Sequence, residues 1–476
     1  MGKTNGFLEF ERLWDEYRPV SERLGDYRDV TIGQSVEELK EQGGRCMECG
    51  TPFCHNIGCP VDNLIPEWND AVWRGQWREA YERLELTNNF PEVTGRICPA
   101  PCETSCTLAI NDAPVAIRQI ERAIVEKAFS EGWVTPRPPK VESGLSVAVV
   151  GSGPAGMAAA QQLRRLGHSV TVFEKDKRPG GLLRYGIPDF KLDKWVLDRR
   201  FEQMVAEGIR FETGVVVGED LSIRYLREKF DAVLFAMGAG APRDLNVPGR
   251  QLGGVHFALE YLGQSNRRVG EEAYNEEDID AGGKRVLVIG GGDTGSDCVG
   301  TARRQGAAAV YQFEIMPQPR DWKENHNPEW PAWPRILRTS SSHKEGVERR
   351  WAVETLGFEE RNGKVCAGHF RNVEWIPGEK GARPTMKPVE GSEFTLELDL
   401  VLLSMGFLHV EHGRAVSDPG VALDPRGNIR TDEWQSSING IFAAGDAVSG
   451  ASLVVRAIAS GRKAADAVHR WLQGQD

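Results

Sequence analysis

Apolar positions in the first part of the chain recur at helical spacing, not in strand-like alternation. Leu64, Ile65, Trp68 and Val72 fall on one predicted helix face. Gly75 interrupts that helix, and Trp77, Tyr81 and Leu84 mark a second. A third predicted helix covers about 114–129, with Pro114 near its start and Ile117, Ile120, Ile124 and Ala128 in one stripe. The proline-rich residues 135–140 read as a stiff linker. Beyond it the pattern changes. An apolar run at 146–150 leads into a glycine-rich turn, a helix to about 166 and a strand at 169–173. Residues 285–313 repeat the order of strand, glycine-rich turn, helix and strand. Two such units predict parallel βαβ structure. The acidic stretch 270–281 reads as a surface loop.

Length and charge narrow the picture. A chain of 476 residues predicts about three domains. A net charge of −11 argues against general nucleic-acid binding. No apolar run of about 18 residues is present, so no membrane span is expected. The first residues lack a signal-peptide core and the Ser or Thr at position 6 that myristoylation prefers. The expected location is the cytoplasm, where clustered cysteines point to metal binding ahead of disulfides.

The first glycine-rich turn is a dinucleotide fingerprint: Gly151, Gly153 and Gly156, with Pro154 and Ala155 opening the helix. A helix N-terminus there offers N–H groups and a positive dipole end to a pyrophosphate. Glu174 follows Gly151 by 23 positions, at the end of the next strand, where an acid suits ribose hydroxyls. Lys175, then Gly181 and Leu182, continue this candidate site, and Gly238 follows a later apolar run. Near the C-terminus a strand ends in Gly445-Asp446, with the Leu453 helix behind it. That segment resembles the second flavin fingerprint of two-dinucleotide-domain flavoproteins, in which the aspartate binds the ribityl chain of FAD.

The second turn, Gly290, Gly292 and Gly295 with Asp293 and Thr294, lies between the two flavin segments and is assigned to the nicotinamide coenzyme. Glu314 follows Gly290 by 24 positions, and an acid at this strand end favours NADH over NADPH. The nearest basic residues are Arg303, Arg304 and Arg320. A solvent-facing strand end is the competing reading of Glu314. Cys298 and Cys366 read as small packing residues.

Seven of the nine cysteines stand in two clumps, Cys46, Cys49, Cys54 and Cys59, then Cys98, Cys102 and Cys106. Short repeats with Pro directly after Cys59 and Cys98 suit iron–sulfur ligation. Seven thiols serve one [4Fe–4S] cluster with three left over, or two clusters with one ligand missing. A zinc ribbon fits less well, because the x4 and x3 spacings do not repeat the paired C-x2-C of zinc sites. Glu121 lies on the apolar stripe of the third helix, where a carboxylate is costly unless it is paired or binds a metal. Its open alternatives are iron ligation, an ion pair with Arg118 or Arg122, and a stripe-margin position. His55 is a further ligand candidate. Arg45, Arg96 and Arg118 either influence the clusters or are surface charges.

The motifs at 44–50, 95–99, 151–156, 290–297 and 445–446, in this order, resemble the small (β) subunit of bacterial glutamate synthase along nearly the whole chain. The same module is similar to the N-terminal half of dihydropyrimidine dehydrogenase. The resemblance implies FAD, a nicotinamide site and two [4Fe–4S] clusters with interleaved ligands. Cys46, Cys49, Cys54 and Cys106 would hold one cluster, and Cys59, Cys98, Cys102 and Glu121 the other. It further implies that NAD(P)H reduces FAD and that electrons pass through the clusters to a large (α) subunit, which makes glutamate from glutamine and 2-oxoglutarate. No catalytic side chain is expected in this chain. The stretch 312–333 departs from the arginine-rich segment of NADPH-dependent members and looks more like the NADH-using enzymes.

The expected fold class is α/β: a helical N-terminal iron–sulfur domain (1–143) followed by two Rossmann-like domains. The nicotinamide domain (251–408) is inserted in the FAD domain (144–250 and 409–476). Two other functions compete. The same NAD(P)H-oxidising module could serve another reductase or ferredoxin, or the chain could be a non-enzymatic cofactor-binding adaptor.

Overall fold

The computed structural model describes residues 2–378 and 384–474. The N-terminal part is built from short helices. Ile65–Trp73 and Trp77–Thr87 follow the two apolar faces, and Gly75 between them adopts φ +74°. Ile117–Ser130 buries Ile117, Ile120, Glu121, Ile124, Val125 and Ala128 on one side. Its first turn begins three residues after Pro114. Two further helices, Val36–Gly44 and Pro91–Ile97, complete the shell around the cysteines. The first starts at a capping box formed by Ser35 and Glu38. A two-residue ladder, β1 (Glu16–Tyr17) with antiparallel β2 (Thr31–Ile32), is the strand pairing of this region among the described residues.

The α/β part contains two sheets of Rossmann type. The first uses β3 (Ser146–Val150), β4 (Ser169–Glu174), β5 (Arg210–Thr213) and β6 (Ala232–Phe235). The second uses β7 (Val255–Phe257), β8 (Arg285–Ile289), β9 (Ala309–Glu314) and β10 (Glu348–Trp351). Strands β11 (Val353–Arg361), β12 (Lys364–Ile376), β13 (Thr385–Pro388) and β14 (Phe394–Glu397) form a separate antiparallel sheet. The chain then rejoins the second sheet through β15 (Leu400–Leu403). It returns to the first through β16 (Thr431–Asp432), β17 (Gln435–Ser436) and β18 (Ile441–Ala443).

The first sheet has the order β16-β17-β18-β6-β3-β4-β5, parallel from β18 to β5. The second runs β10-β9-β8-β15-β7 and is parallel throughout. Their central strands are near-continuous apolar runs because helices cover both faces. The sequence pattern does not predict the antiparallel sheet, because its alternating, half-exposed strands lack the continuous apolar runs that mark β8 and β15.

The cysteine domain is fixed on the first sheet by polar contacts. Glu92 and Arg200 form a buried two-pronged ion pair, at 2.7 and 2.8 Å, between the Pro91–Ile97 and Lys194–Ala206 helices. Asn89 donates to Gln161 at 2.7 Å and accepts from Arg462 at 2.5 Å. Among the described residues no helix is long and apolar enough to cross a membrane.

Candidate cofactor sites

The flavin candidates converge at the start of the Pro154–Arg165 helix. Gly153 is its N-cap and Pro154 its first residue. Gly156 packs so close to β3 that a Cβ would lie 1.9 Å from the Gly151 carbonyl oxygen. Glu174 is buried; its Oε2 accepts the Ser152 N–H at 3.0 Å and the Ser152 hydroxyl, and its Oε1 accepts the Asp176 N–H at 2.9 Å. The Gly180–Gly181 turn is tied in by Gly180 N–H donating to Ser152 Oγ at 2.8 Å. A Cβ on Gly181 would sit 3.0 Å from the Gly153 Cα, and one on Gly445 would sit 2.8 Å from the Ala155 Cβ. Three segments far apart in sequence thus meet at one helix N-terminus and leave open the space that side chains would fill.

Asp446 accepts from Ser452 Oγ at 2.8 Å, and burial pushes its carboxyl above the usual range. Leu453 caps the Val454–Leu472 helix. Gly238 lies beyond the end of β6 with a positive φ. Leu182 and Lys175 are exposed at the rim.

The second fingerprint repeats this construction. Gly290 approaches Ser404 after β15 as Gly151 approaches Ala236 after β6. Asp293 and Thr294 open the Asp293–Arg304 helix, and Gly292 caps it. Glu314 Oε2 accepts the Gly291 N–H at 2.6 Å and its Oε1 accepts the Met316 N–H at 3.1 Å. All three basic candidates are engaged by other groups. Arg304 is fully buried against Glu345 and donates to the Asp26 carbonyl, while Arg303 donates to the Glu345 and Ala307 carbonyls. Arg320 pairs with Glu329.

The cysteines fall into two groups. A cavity is lined by Cys46, Cys49, Cys54 and Cys106, together with Asn69, Thr107 and apolar side chains. The thiols of this set act on one another electrostatically, whereas Cys59, Cys98 and Cys102 act on one another and on Glu121. Burial pushes Cys46, Cys59 and Cys98 up to about 12, and Cys54, Cys102 and Cys106 upward too. Buried thiols held this close are costly as anions unless a metal compensates them. Among the described residues no three His, Cys, Asp or Glu side chains converge tightly enough for a single ion. A mononuclear zinc site would need thiolates about 2.3 Å from one centre.

Glu121 is buried, and burial raises its carboxyl to about 7. Its Oε1 accepts from Thr94 at 2.8 Å, Asn88 at 2.9 Å and Asn63 at 3.5 Å. The ion-pair alternative is not realised, because Arg118 pairs with Asp15 and Arg122 with Asp29. His55 Nδ1 is hydrogen-bonded to the Asn63 carbonyl at 2.7 Å. Arg45 and Arg96 are not surface charges. Arg45 is buried and donates to the Phe10 and Ala113 carbonyls, and Arg96 pairs with Glu126. Cys298 is a fully buried packing residue as expected, but Cys366 is only half-buried, on β12. The sequence reading missed Asn63, Asn88, Thr94 and Asn69, polar residues whose only signal is their position inside otherwise apolar helices and turns.

Two family models match the chain: pyridine nucleotide-disulphide oxidoreductase over residues 145–461, and dihydropyrimidine dehydrogenase domain II, 4Fe-4S cluster, over residues 23–133. The glutamate synthase [NADPH] small chain of Mycobacterium tuberculosis is 53% identical, over 100% of this chain and 97% of that protein. The chain belongs to the glutamate synthase small-chain family. A glutamate synthase [NADH] of Schizosaccharomyces pombe is 44% identical over 100% of this chain, which spans 23% of that longer protein. Among solved structures, Mycobacterium tuberculosis FprA in complex with NADPH has a TM-score of 0.55 at 19% identity, covering 69% of this chain and 85% of FprA. That likeness concerns the fold alone.

Proposed function

We propose that this chain is the electron-input subunit of a glutamate synthase: it oxidises NADH and delivers electrons to a large (α) subunit that forms glutamate from glutamine and 2-oxoglutarate. The observation that carries the reading is the meeting of three distant segments at the Pro154 helix start, in a chain that also gathers two sets of cysteines. Residues 1–143 would form the iron–sulfur domain, 144–250 with 409–476 the FAD domain, and 251–408 the nicotinamide domain. FAD would rest on Gly151, Gly153, Gly156, Glu174, Gly181 and Asp446. The coenzyme would rest on Gly290, Gly292, Gly295 and Glu314. Cys46, Cys49, Cys54 and Cys106 would hold one [4Fe–4S] cluster, and Cys59, Cys98, Cys102 and Glu121 a second.

When bound, FAD supplies hydride acceptance and the clusters supply single-electron transfer, chemistry that belongs to the cofactors. The chain's own residues bind and orient. The two helix N-termini direct N–H groups at phosphates. Glu174 and Glu314 hold their own glycine loops and keep lone pairs for ribose hydroxyls. The packing around the cysteines excludes water. Reduced thiols fit a cytoplasmic setting.

NADH is favoured over NADPH because Glu314 would repel a 2′-phosphate and because Arg303 and Arg304 are engaged inside the fold. Anaerobic stopped-flow reduction with NADH and NADPH in parallel tests this. Faster flavin bleaching with NADH is expected; faster bleaching with NADPH would overturn the coenzyme assignment, and bleaching with neither would overturn the reductase reading. Glutamate formation on adding the large subunit separates this function from service to another reductase.

A further inference from the structure

The stretch between β9 and β10 leaves the second sheet and returns to the cysteine domain. Asn327 donates its backbone N–H to the Ala109 carbonyl at 2.6 Å and its side-chain amide to the Thr104 carbonyl at 2.8 Å. Trp330 Nε1 donates to the Cys106 carbonyl at 3.0 Å and the Ser105 carbonyl at 3.2 Å. Ser105 Oγ donates back to the Pro331 carbonyl at 3.1 Å. The Trp330 ring packs on Phe53, with centroids 4.8 Å apart. Phe53 directly precedes Cys54. One indole therefore braces a cysteine from each clump, Cys106 through its carbonyl and Cys54 through its neighbour, and both line the same cavity.

We propose that Trp330 is a positioning residue for the Cys46, Cys49, Cys54 and Cys106 set, a brace behind the lining of that site supplied by the segment that follows the coenzyme-binding strand. The inference rests on the ligand assignment given above. A ligand's reach is set by its backbone, and the Nε1 bond fixes the backbone of Cys106. The ring shields the Phe53 side from water. Exposure and hydrogen bonding set cluster potentials. One-electron reduction adds negative charge, which water stabilises, so removing the indole raises the midpoint potential of this cluster and leaves the other unmoved. The site is complete only while the segment from the second sheet is docked.

Two variants separate the contributions. Trp330→Phe keeps a ring against Phe53 and loses the donor; Trp330→Ala loses both. In metal-free full-length protein, iodoacetamide labelling mapped by mass spectrometry reads the brace without any cofactor. Trp330→Ala should speed labelling of Cys54 and Cys106 by about tenfold, the effect of a modest local opening, with Cys59, Cys98 and Cys102 little changed. Trp330→Phe should fall between, with Cys106 affected more than Cys54. In reconstituted protein, an EPR-monitored redox titration should show one midpoint rising in Trp330→Ala. Unchanged labelling, or equal acceleration of all these cysteines, would overturn the proposal, as would two unmoved midpoints. Cys106→Ser tests the ligand assignment by itself. If that variant keeps both clusters while Trp330→Ala still labels selectively, the assignment falls and the bracing of the Cys106 loop stands.

Discussion

Gly291 donates its backbone N–H to Glu314 at 2.6 Å, and a Cβ on Gly291 would lie equally close to the same carboxylate oxygen. The acid at the end of β9 thus holds the glycine loop of its own fingerprint. Glu174 does the same for Ser152 in the first fingerprint. A carboxylate locked this way presents its remaining lone pairs in a fixed direction, where the ribose hydroxyls of the proposed NADH would donate. Glu314→Ala should weaken NADH more than NADPH. A hydrogen bond to a charged group is worth about 1.5–3 kcal/mol, so KM for NADH should rise about tenfold to a hundredfold with a smaller change in kcat. Steady-state diaphorase assays with both coenzymes read the ratio. An unchanged ratio would remove Glu314 from coenzyme selection.

Glu121 takes three hydrogen bonds on Oε1 and none of them on Oε2. Asn63, Asn88 and Thr94 therefore orient the buried carboxylate that the proposal above assigns to the Cys59, Cys98 and Cys102 set. Under the proposed two-cluster assignment, Glu121→Ala should lower the iron content of reconstituted protein from two clusters to one. Thr94→Val removes a supporting donor only, and such outer partners typically contribute about tenfold to a hundredfold in metal affinity. Faster iron loss to a chelator, at normal initial iron content, is the expected result. Full, stable iron in both variants would return Glu121 to a structural role.

The Glu92–Arg200 pair joins the cysteine domain to the first sheet through nearly inaccessible side chains. Removing one partner strands the other charge. Glu92→Ala should destabilise the protein by about 3–5 kcal/mol. Replacing both with apolar residues, as in Glu92→Leu with Arg200→Met, should cost less than either single change. Denaturant midpoints of the three variants decide the point, and additive losses would show that the two charges do not act as a pair.

The fold class was legible because strand, glycine turn, helix and acid occur in register twice, and few other structures tolerate that pattern. The cysteine clumps were legible as metal chemistry, but spacing alone could not divide them into sets; the division came from resemblance. Helix faces such as Ile117–Ser130 stood out by period. What escaped has no period. The Val36–Gly44 helix carries only Val36, which is exposed, and Leu39 as large apolar residues, and is announced chiefly by Ser35 and Glu38. Asn63, Asn88 and Thr94 come from separate turns and helices and meet only at Glu121. The return of Trp330 to Cys106 joins residues 224 positions apart, a contact that tertiary packing alone decides.

His343 makes stability depend on pH in a predictable direction. Its imidazole is driven down from 6.5 to about 3 by burial, with Arg349 and Lys191 adding positive charge nearby. Nδ1 accepts the Ser340 N–H at 3.1 Å, and Nε2 is buried with no hydrogen-bond partner among the described residues. The native state therefore holds the ring neutral, while the unfolded chain takes up a proton below about 6.5. A group whose folded value is depressed gives full stability above the unfolded value and loses it as pH falls. Between pH 6.5 and about 3 this one ring should reduce stability by up to about 1.4 kcal/mol per pH unit. His343→Gln keeps an acceptor for Ser340 and cannot titrate. Its urea midpoint should match that of the parent near pH 8 and exceed it at pH 5. Parallel acid limbs in the two proteins would place the protonation elsewhere in the fold.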